Sequence, residues 1–232
     1  MNFVALVENL RVECGVSGSP IVSVQNLSGE LLRLKNWIGD AWNAIQMKHQ
    51  DWKFLRSNFA FQTQVGKQSY SPTDAGVPSM DAWDQSSVWM YDTNIGLADQ
   101  MPLGRMEWEH FRNMYLRGVP NPMKPLCFTI NPADNSMWLG ATPDNVYAVS
   151  GECWVEPLIL AADTDVPPMP AKFHKLIVLE AMKRYAGFEA ANEVMQRAMT
   201  ESLPLWTKLE IQQLPQVTIA GAWGVDGGYF HG

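Results

Sequence analysis

The stretch from Ser28 to Trp52 constrains the fold more than any other. Leu31, Leu34, Ile38, Ala41 and Ile45 recur in steps of three and four, and Leu27 and Trp52 at either end stay in phase. That period predicts an amphipathic helix with one continuous apolar seam. Ser28 is placed to accept an orphan backbone amide as N-cap, and Glu30 sets a carboxylate in the first turn, where the helix dipole favours it. Leu32 and Trp42 widen the seam, so more than one packing partner is expected. Nothing in the stretch carries chemistry. It reads as a scaffold that the rest of the chain must cover.

A first short helix is expected over Asn2 to Cys14, with Phe3, Leu6, Val7 and Leu10 on one face, Asn2 as cap and Gly15 at its end. Val16 to Asn26 reads as a loop with one β-like run, Ile21 to Val24. Two helices do not bury two seams by themselves, so further helix must come from elsewhere in the chain.

After Trp52 the period changes to two. Phe59, Phe61, Thr63 and Val65 alternate with polar residues, Gly66-Lys67 turns the chain, and Gln68 to Ser71 returns as a second strand. Pro72 to Ser87 reads as loop and Ser86 to Thr93 as strand. Met106 to Leu116 reads as a short helix with Trp108, Phe111, Met114 and Tyr115 on one face, closed by Gly118. Pro125–Asn131, Ser136–Thr142 and Val146–Glu156 follow as three strands joined by the turns Pro132-Ala-Asp-Asn and Pro143-Asp-Asn, an antiparallel meander with one buried side.

Helix then resumes. Asp165 is the expected N-cap, with prolines confined to the helix start. Phe173, Ile177 and Ala181 share a face and Tyr185 follows. Gly187 is expected to cap or kink the helix. Ala191, Val194, Ala198, Leu205 and Leu209 continue a seam that Pro204 should break or bend. The fold class is therefore α+β: a helical bundle built from both ends of the chain (residues 1–53 and 164–213), an inserted antiparallel β domain (54–163) and an extended C-terminal arm (214–232). In the bundle, Leu31, Leu34, Ile38 and Ile45 should pack against Phe173, Ile177, Val194 and Ala198.

The arm is apolar and aromatic where disordered tails are hydrophilic. Val217 and Ile219 alternate with small residues, and Trp223, Tyr229 and Phe230 sit among glycines. These five are the expected partner-binding residues, ordered only against another protein. The competing reading is a frayed terminus.

Composition narrows the function. Of 232 residues, 47% are hydrophobic and 18% charged, against roughly 25% charged in ordinary soluble domains. With ten Trp and thirteen Met besides, much of the surface is expected to lie against other protein, the alternative being a Trp-rich core. A net charge of −7 lacks the footprint of a DNA binder. No apolar run reaches membrane-span length and no signal peptide is read at the N-terminus. Cys14, Cys127 and Cys153 give neither a disulfide framework nor a zinc pattern, so reduced, buried thiols are expected.

No catalytic constellation emerges: no His-Glu-x-x-His, Walker loop, Gly-x-Ser-x-Gly or Cys-x-x-Cys. His49 and His174 fall on helices, as packed or solvent-facing rings rather than ligands. Glu107 and Glu109 lie two apart, hence on different helix faces, and make a poor acid–base pair. Asp163 and Asp165 lack the further acidic ligands of a calcium loop and are better read as caps. The expectation is no enzyme, no metal and no cofactor. Exposed Trp on a β domain would suit sugar rings, which keeps a carbohydrate-binding module as the alternative from another class.

The run Gly29-Glu-Leu-Leu-Arg-Leu-Lys-Asn-Trp-Ile-Gly-Asp-Ala-Trp-Asn-Ala-Ile-Gln46, with Asp51-Trp-Lys-Phe-Leu-Arg56, resembles the head-to-tail adaptor (connector) proteins of tailed bacteriophages. Arg11-Val-Glu-Cys-Gly-Val-Ser-Gly18, Gly151-Glu-Cys-Trp154 within Tyr147–Pro157, and Val166-Pro-Pro-Met-Pro-Ala-Lys-Phe-His-Lys-Leu-Ile-Val178 match too. The resemblance spans the chain to about Arg197. It implies a virion structural protein at the head–tail junction, assembled in the host cytoplasm. It also implies a ring of about twelve copies under the portal protein, with tail nozzle or tail tube protein below. Low charge and abundant Trp suit a chain flanked by its own copies. An acidic balance suits a channel through which DNA slides without specific binding, because positive walls would hold phosphates. A tail-completion or nozzle subunit is the competing reading within the virion.

Overall fold

The computed structural model describes residues 1–119 and 121–215. The helices are α1 (Phe3–Glu13), α2 (Gly29–Lys48), α3 (Trp108–Tyr115), α4 (His174–Glu189) and α5 (Asn192–Gln213). The strands are β1 (Arg56–Gln62), β2 (Ser69–Tyr70), β3 (Met80–Trp83), β4 (Trp89–Asp92), β5 (Met101–Pro102), β6 (Gly104–Arg105), β7 (Cys127–Ile130), β8 (Met137–Gly140) and β9 (Tyr147–Val155). The class is α+β, as the periodicities imply: N-terminal helices pack with α4 and α5, and two sheets are inserted between them. Met1–Phe54 and the described residues from Ile159 onward form one compact unit, and Leu55–Leu158 forms another.

In the helical unit, α1 buries the four residues that share its apolar face, and Asn2 caps it by accepting the Ala5 amide. Its other end closes on Gly15 at φ +67°, where the Gly15 and Val16 amides donate to the Val12 and Arg11 carbonyls. That pair of bonds needs a left-handed residue after the last turn, the role glycine fills without strain. The most enclosed helix is α4 rather than α2. Leu176, Ile177, Val178, Leu179, Ala181 and Met182 are all buried, and α1, α2 and α5 all pack on α4. A helix apolar around its circumference is one surrounded by others.

Several expectations for these helices are corrected. Ser28 sits at the N-cap of α2 but its hydroxyl makes no capping bond. Leu32 is exposed and Leu31 half-buried, so the working seam is Leu34, Ile38, Ala41, Trp42 and Ile45. The helix stops at Lys48. Trp52 lies beyond it and turns back, donating from Nε1 to the Ile45 carbonyl at 3.0 Å and satisfying an orphan group of the last turn. Ile21 to Val24 forms no strand. Asp165 does not cap α4: its carboxylate accepts the Ala161 and Ala162 amides at 2.7 Å each. Gly187 lies inside α4, which ends instead on Ala190 in the left-handed region. Pro204 is accommodated within a continuous α5, whose buried face is Ala198, Ser202 and Leu209, with Val194 and Leu205 only half-buried.

In the inserted unit, β9 is the organising strand. It pairs with β1 along seven residues on one side and with β3 and β4 on the other, and β5 follows β4. The second sheet has the order β2-β8-β7-β6. Phe59, Phe61, Met90, Tyr147, Val149 and Cys153 from the first sheet meet Tyr70, Phe128, Met137 and Leu139 from the second in one core. The expected meander is therefore corrected: β7 and β8 form a hairpin, but β9 crosses to the other sheet. Its nine residues suit the centre of a sheet, where both edges must be matched. The expected β1–β2 hairpin is corrected as well, since β2 pairs with β8. Tyr70 explains the crossing. Its ring stacks on Phe61 at 4.7 Å, and its hydroxyl accepts the Gln64 amide and donates to the Lys67 carbonyl, fixing a corner where a hairpin would have folded back. β3 lies within the stretch read as loop. On α3, Phe111 is buried, while Met114 is exposed rather than packed.

Gly151 lies opposite Phe59 in the β1–β9 register. A Cβ there would sit 2.8 Å from two atoms of the Phe59 ring and 3.0 Å from the Ser87 carbonyl oxygen. Gly151→Ala should therefore destabilise the inserted unit by about 1–3 kcal/mol, the usual cost of forcing a methyl into a filled core. Denaturant unfolding with a wild-type midpoint would refute the close packing of ring on backbone.

Candidate interaction surface

Several charged side chains of the helical unit hold it together. Glu8 takes a two-pronged bond from Arg11 at 2.8 Å on each oxygen and also accepts the Ile21 amide at 2.9 Å. Arg11 continues through its third nitrogen to the Val16 carbonyl at 2.7 Å. This is the physical content of the segment from Arg11 to Gly18: the guanidinium straps the loop after α1 back onto the helix. Glu13 is gripped by Lys175 of α4 and Arg197 of α5. Glu210 of α5 holds Lys48 at 2.7 Å and His49 at 3.2 Å at the end of α2. Trp206 donates to Glu180 at 2.7 Å. The Arg11, Lys175 and Lys48 hydrogen bonds hold Glu8, Glu13 and Glu210, respectively, below the ordinary carboxylate range.

The residues weighed for chemistry are placed just as structurally. Asp163 accepts the Val24 amide at 2.7 Å, and the Ala161 and Ala162 amides lower the Asp165 carboxyl. Both tie loops rather than helix ends. His174 is buried with Nε2 2.8 Å from the Met169 carbonyl oxygen, and burial pushes its pKa down. His49 is the C-cap residue of α2. Glu107 stands before α3, paired with Arg105, and Glu109 lies in the first turn. Among the described residues no group of three or more His, Cys, Asp or Glu is arranged to hold a metal ion. The cysteines are unpaired, and burial pushes the Cys14 thiol up to about 12.

Exposed apolar side chains stand among charged ones on the surface of α5. On α5, Met199, Leu203 and Ile211 are exposed at four- and eight-residue intervals, Met199 and Leu203 flanking the buried face and Ile211 opposite it. Their spacing is visible in the sequence, but the expected kink at Pro204 hid it. Of the described tryptophans only Trp89 is exposed, at 43%. Trp42, Trp52 and Trp83 are core and the others half-buried, so no platform of paired exposed rings for sugars exists among the described residues. Val217, Ile219, Trp223, Tyr229 and Phe230 lie outside the described residues. No described helix is long and apolar enough to cross a membrane.

Glu8, Glu13, Glu180 and Glu210 thus serve as ties within the helical unit rather than as a reactive cluster. The sequence matches the SU10 adaptor protein family over residues 1–216. The chain belongs to that family, a family of phage head-to-tail adaptors. None of the curated proteins matches the sequence.

Proposed function

We propose that the chain forms a ring of about twelve copies, a number the family resemblance implies. The ring seats on the portal protein and receives the tail nozzle or tail tube protein below, with DNA passing through without specific binding. The observation that carries this reading is the family match along nearly the whole chain. The exposed Met199, Leu203 and Ile211 support it, since a subunit flanked by copies of itself carries apolar side chains that a lone subunit leaves in water. The negative net charge suits the channel. Residues 1–53 and 164–213 form the body in this reading, residues 54–163 the inserted domain and residues 214–232 the arm.

The arm is the proposed docking element, with Val217, Ile219, Trp223, Tyr229 and Phe230 as its contacts. Burying three aromatic rings is worth roughly 1.5–3 kcal/mol apiece, enough to offset much of the ordering cost, and a ring multiplies it. Truncation after Pro215 should leave the subunit folded with an unchanged melting temperature, yet unable to join portal-containing heads. Negative-stain counting of occupied heads measures this. Unchanged occupancy would move the docking surface to the body. A wild-type chain that stays monomeric with portal present and binds glycans would replace the adaptor role by the carbohydrate module.

A further inference from the structure

The edges of the two sheets are unequal. β2, β5 and β6 end their sheets as strands of two residues, and β5 contains Pro102. Short edges and proline are the ordinary protection against unwanted strand pairing. β3, which pairs only with β9, is four residues long and broken by a register shift between Met80 and Ala82. β1 is the long, regular edge. It is seven residues long, pairs with β9 in unbroken register and pairs with nothing on its other side among the described residues. Its one charged residue, Arg56, sits at the end, tied to Glu152 and Asp84. From Ser57 to Gln62 it has no charge, proline or bulge.

The orientation of its backbone follows from the ladder. The Thr63 amide donates to the Tyr147 carbonyl, so Thr63 opposes Tyr147 in a hydrogen-bonded pair. Such pairs alternate along an antiparallel ladder. Phe61, Phe59 and Ser57 therefore turn their backbone groups to β9. Asn58, Ala60 and Gln62, all exposed, turn theirs outward.

We propose that the outer edge of β1 accepts residues 217–220 of a neighbouring copy as an added strand. The inference rests on the ring reading above and names one of its contacts. The donor segment fits the edge. Leu214 leaves α5 in extended conformation, and Gln216-Val-Thr-Ile-Ala220 is uncharged, as the edge is. Val217 and Ile219 fall on one face of a strand, where they extend the apolar surface begun by Phe59 and Phe61. Main-chain bonds to Asn58, Ala60 and Gln62 hold the segment, and the alternating side chains set its register. A copy that gives a strand at one place and accepts one at another makes a head-to-tail contact, the kind that closes into rings. The residues after Pro215 reach roughly 55 Å at about 3.3 Å each, so Trp223, Tyr229 and Phe230 remain free to continue to the portal.

Ala60→Pro in the full-length chain tests this. The Ala60 amide faces away from β9, so the proline ring removes no existing ladder bond while blocking the edge. The subunit is expected to keep its melting temperature, and occupancy of portal-containing heads to fall about tenfold or more. Should the variant not fold, hydrogen exchange on the wild-type chain decides. Amides of Asn58, Ala60 and Gln62 should exchange freely in the isolated subunit and about tenfold or more slowly in the assembled ring, while Phe59 and Phe61 are slow in both. Unchanged exchange on assembly overturns the inference. So does full occupancy by a folded Ala60→Pro chain, and loss of attachment on truncation would then leave the adaptor reading intact. Protection already present in a dilute monomer overturns it too, because the strand would then come from the same chain. If the wild-type chain forms no ring with portal, the adaptor reading itself fails, and this inference with it.

Discussion

An Ile38→Asp chain should fail to accumulate as folded protein. Ile38 has no exposed surface and lies on the face of α2 that packs against α4. Leu34, Ala41 and Trp42 flank it, equally buried. A carboxylate placed there either stays ionised in an apolar setting or takes up a proton. Either way the buried polar group costs several kcal/mol, and the lost packing adds to it. Total stability of a domain is only about 5–15 kcal/mol, so one such substitution is of the same order as the whole. Ile38→Val, which removes one methylene and adds no charge, should cost only about 0.5–1.5 kcal/mol. The comparison is made by soluble yield and thermal melting. A soluble Ile38→Asp chain with a cooperative transition near that of wild type would refute the packing of α2 on α4.

Trp52 should be the next most costly position. It is fully buried, stacks on Phe54 at 5.2 Å, meets the edge of His49 at 5.0 Å, and donates to the Ile45 carbonyl. Removing the ring leaves a cavity as well as an unsatisfied carbonyl at the end of α2. Trp52→Ala should therefore cost about 3–5 kcal/mol. Trp52→Phe keeps most of the packing and loses the donor, for about 1–2 kcal/mol. With roughly 2–4 °C per kcal/mol for a chain of this length, the alanine variant should melt roughly 10 °C lower. Equal melting of the alanine and phenylalanine variants would show that the hydrogen bond, and not the ring, is what matters at this site.

Trp52 also shows where sequence periodicity stops informing. Its spacing keeps it in phase with the seam of α2, and it does pack on that helix, but by turning back from outside it. A side chain that returns over the last turn and one that continues the turn leave the same trace in a pattern of apolar positions. The same ambiguity hid the rank of α4. A helix buried on every side has little amphipathic contrast, so Phe173, Ile177 and Ala181 revealed one face where several were apolar. In the inserted unit, strand positions came through wherever alternation was long, as at Phe59–Phe61 and Tyr147–Val149. Strand partners did not, because pairing is decided by a distant contact such as Phe61 on Tyr70. Asp163 and Asp165 were read as helix caps, but their amide partners at Val24, Ala161 and Ala162 depend on a loop path that no local rule supplies. The neutral edge of β1 was present in the letters from Ser57 to Gln62 and became meaningful only with β9 on one side and no described strand on the other.

The excursion of the chain into two sheets between Phe54 and Ile159 has a consequence for the order in which the protein can be made. On a ribosome, α1 and α2 emerge first, yet the helix that encloses both begins only at His174. Isolated helices of such length are marginal in water. The inserted unit draws all its strands from Leu55–Leu158 and has its complete sequence before α4 has been translated. At about 5–20 residues per second, the more than one hundred residues between α2 and α4 take roughly 6–25 seconds to add. Through that interval the seam of Leu34, Ile38 and Ile45 lacks the helix that covers it in the finished fold.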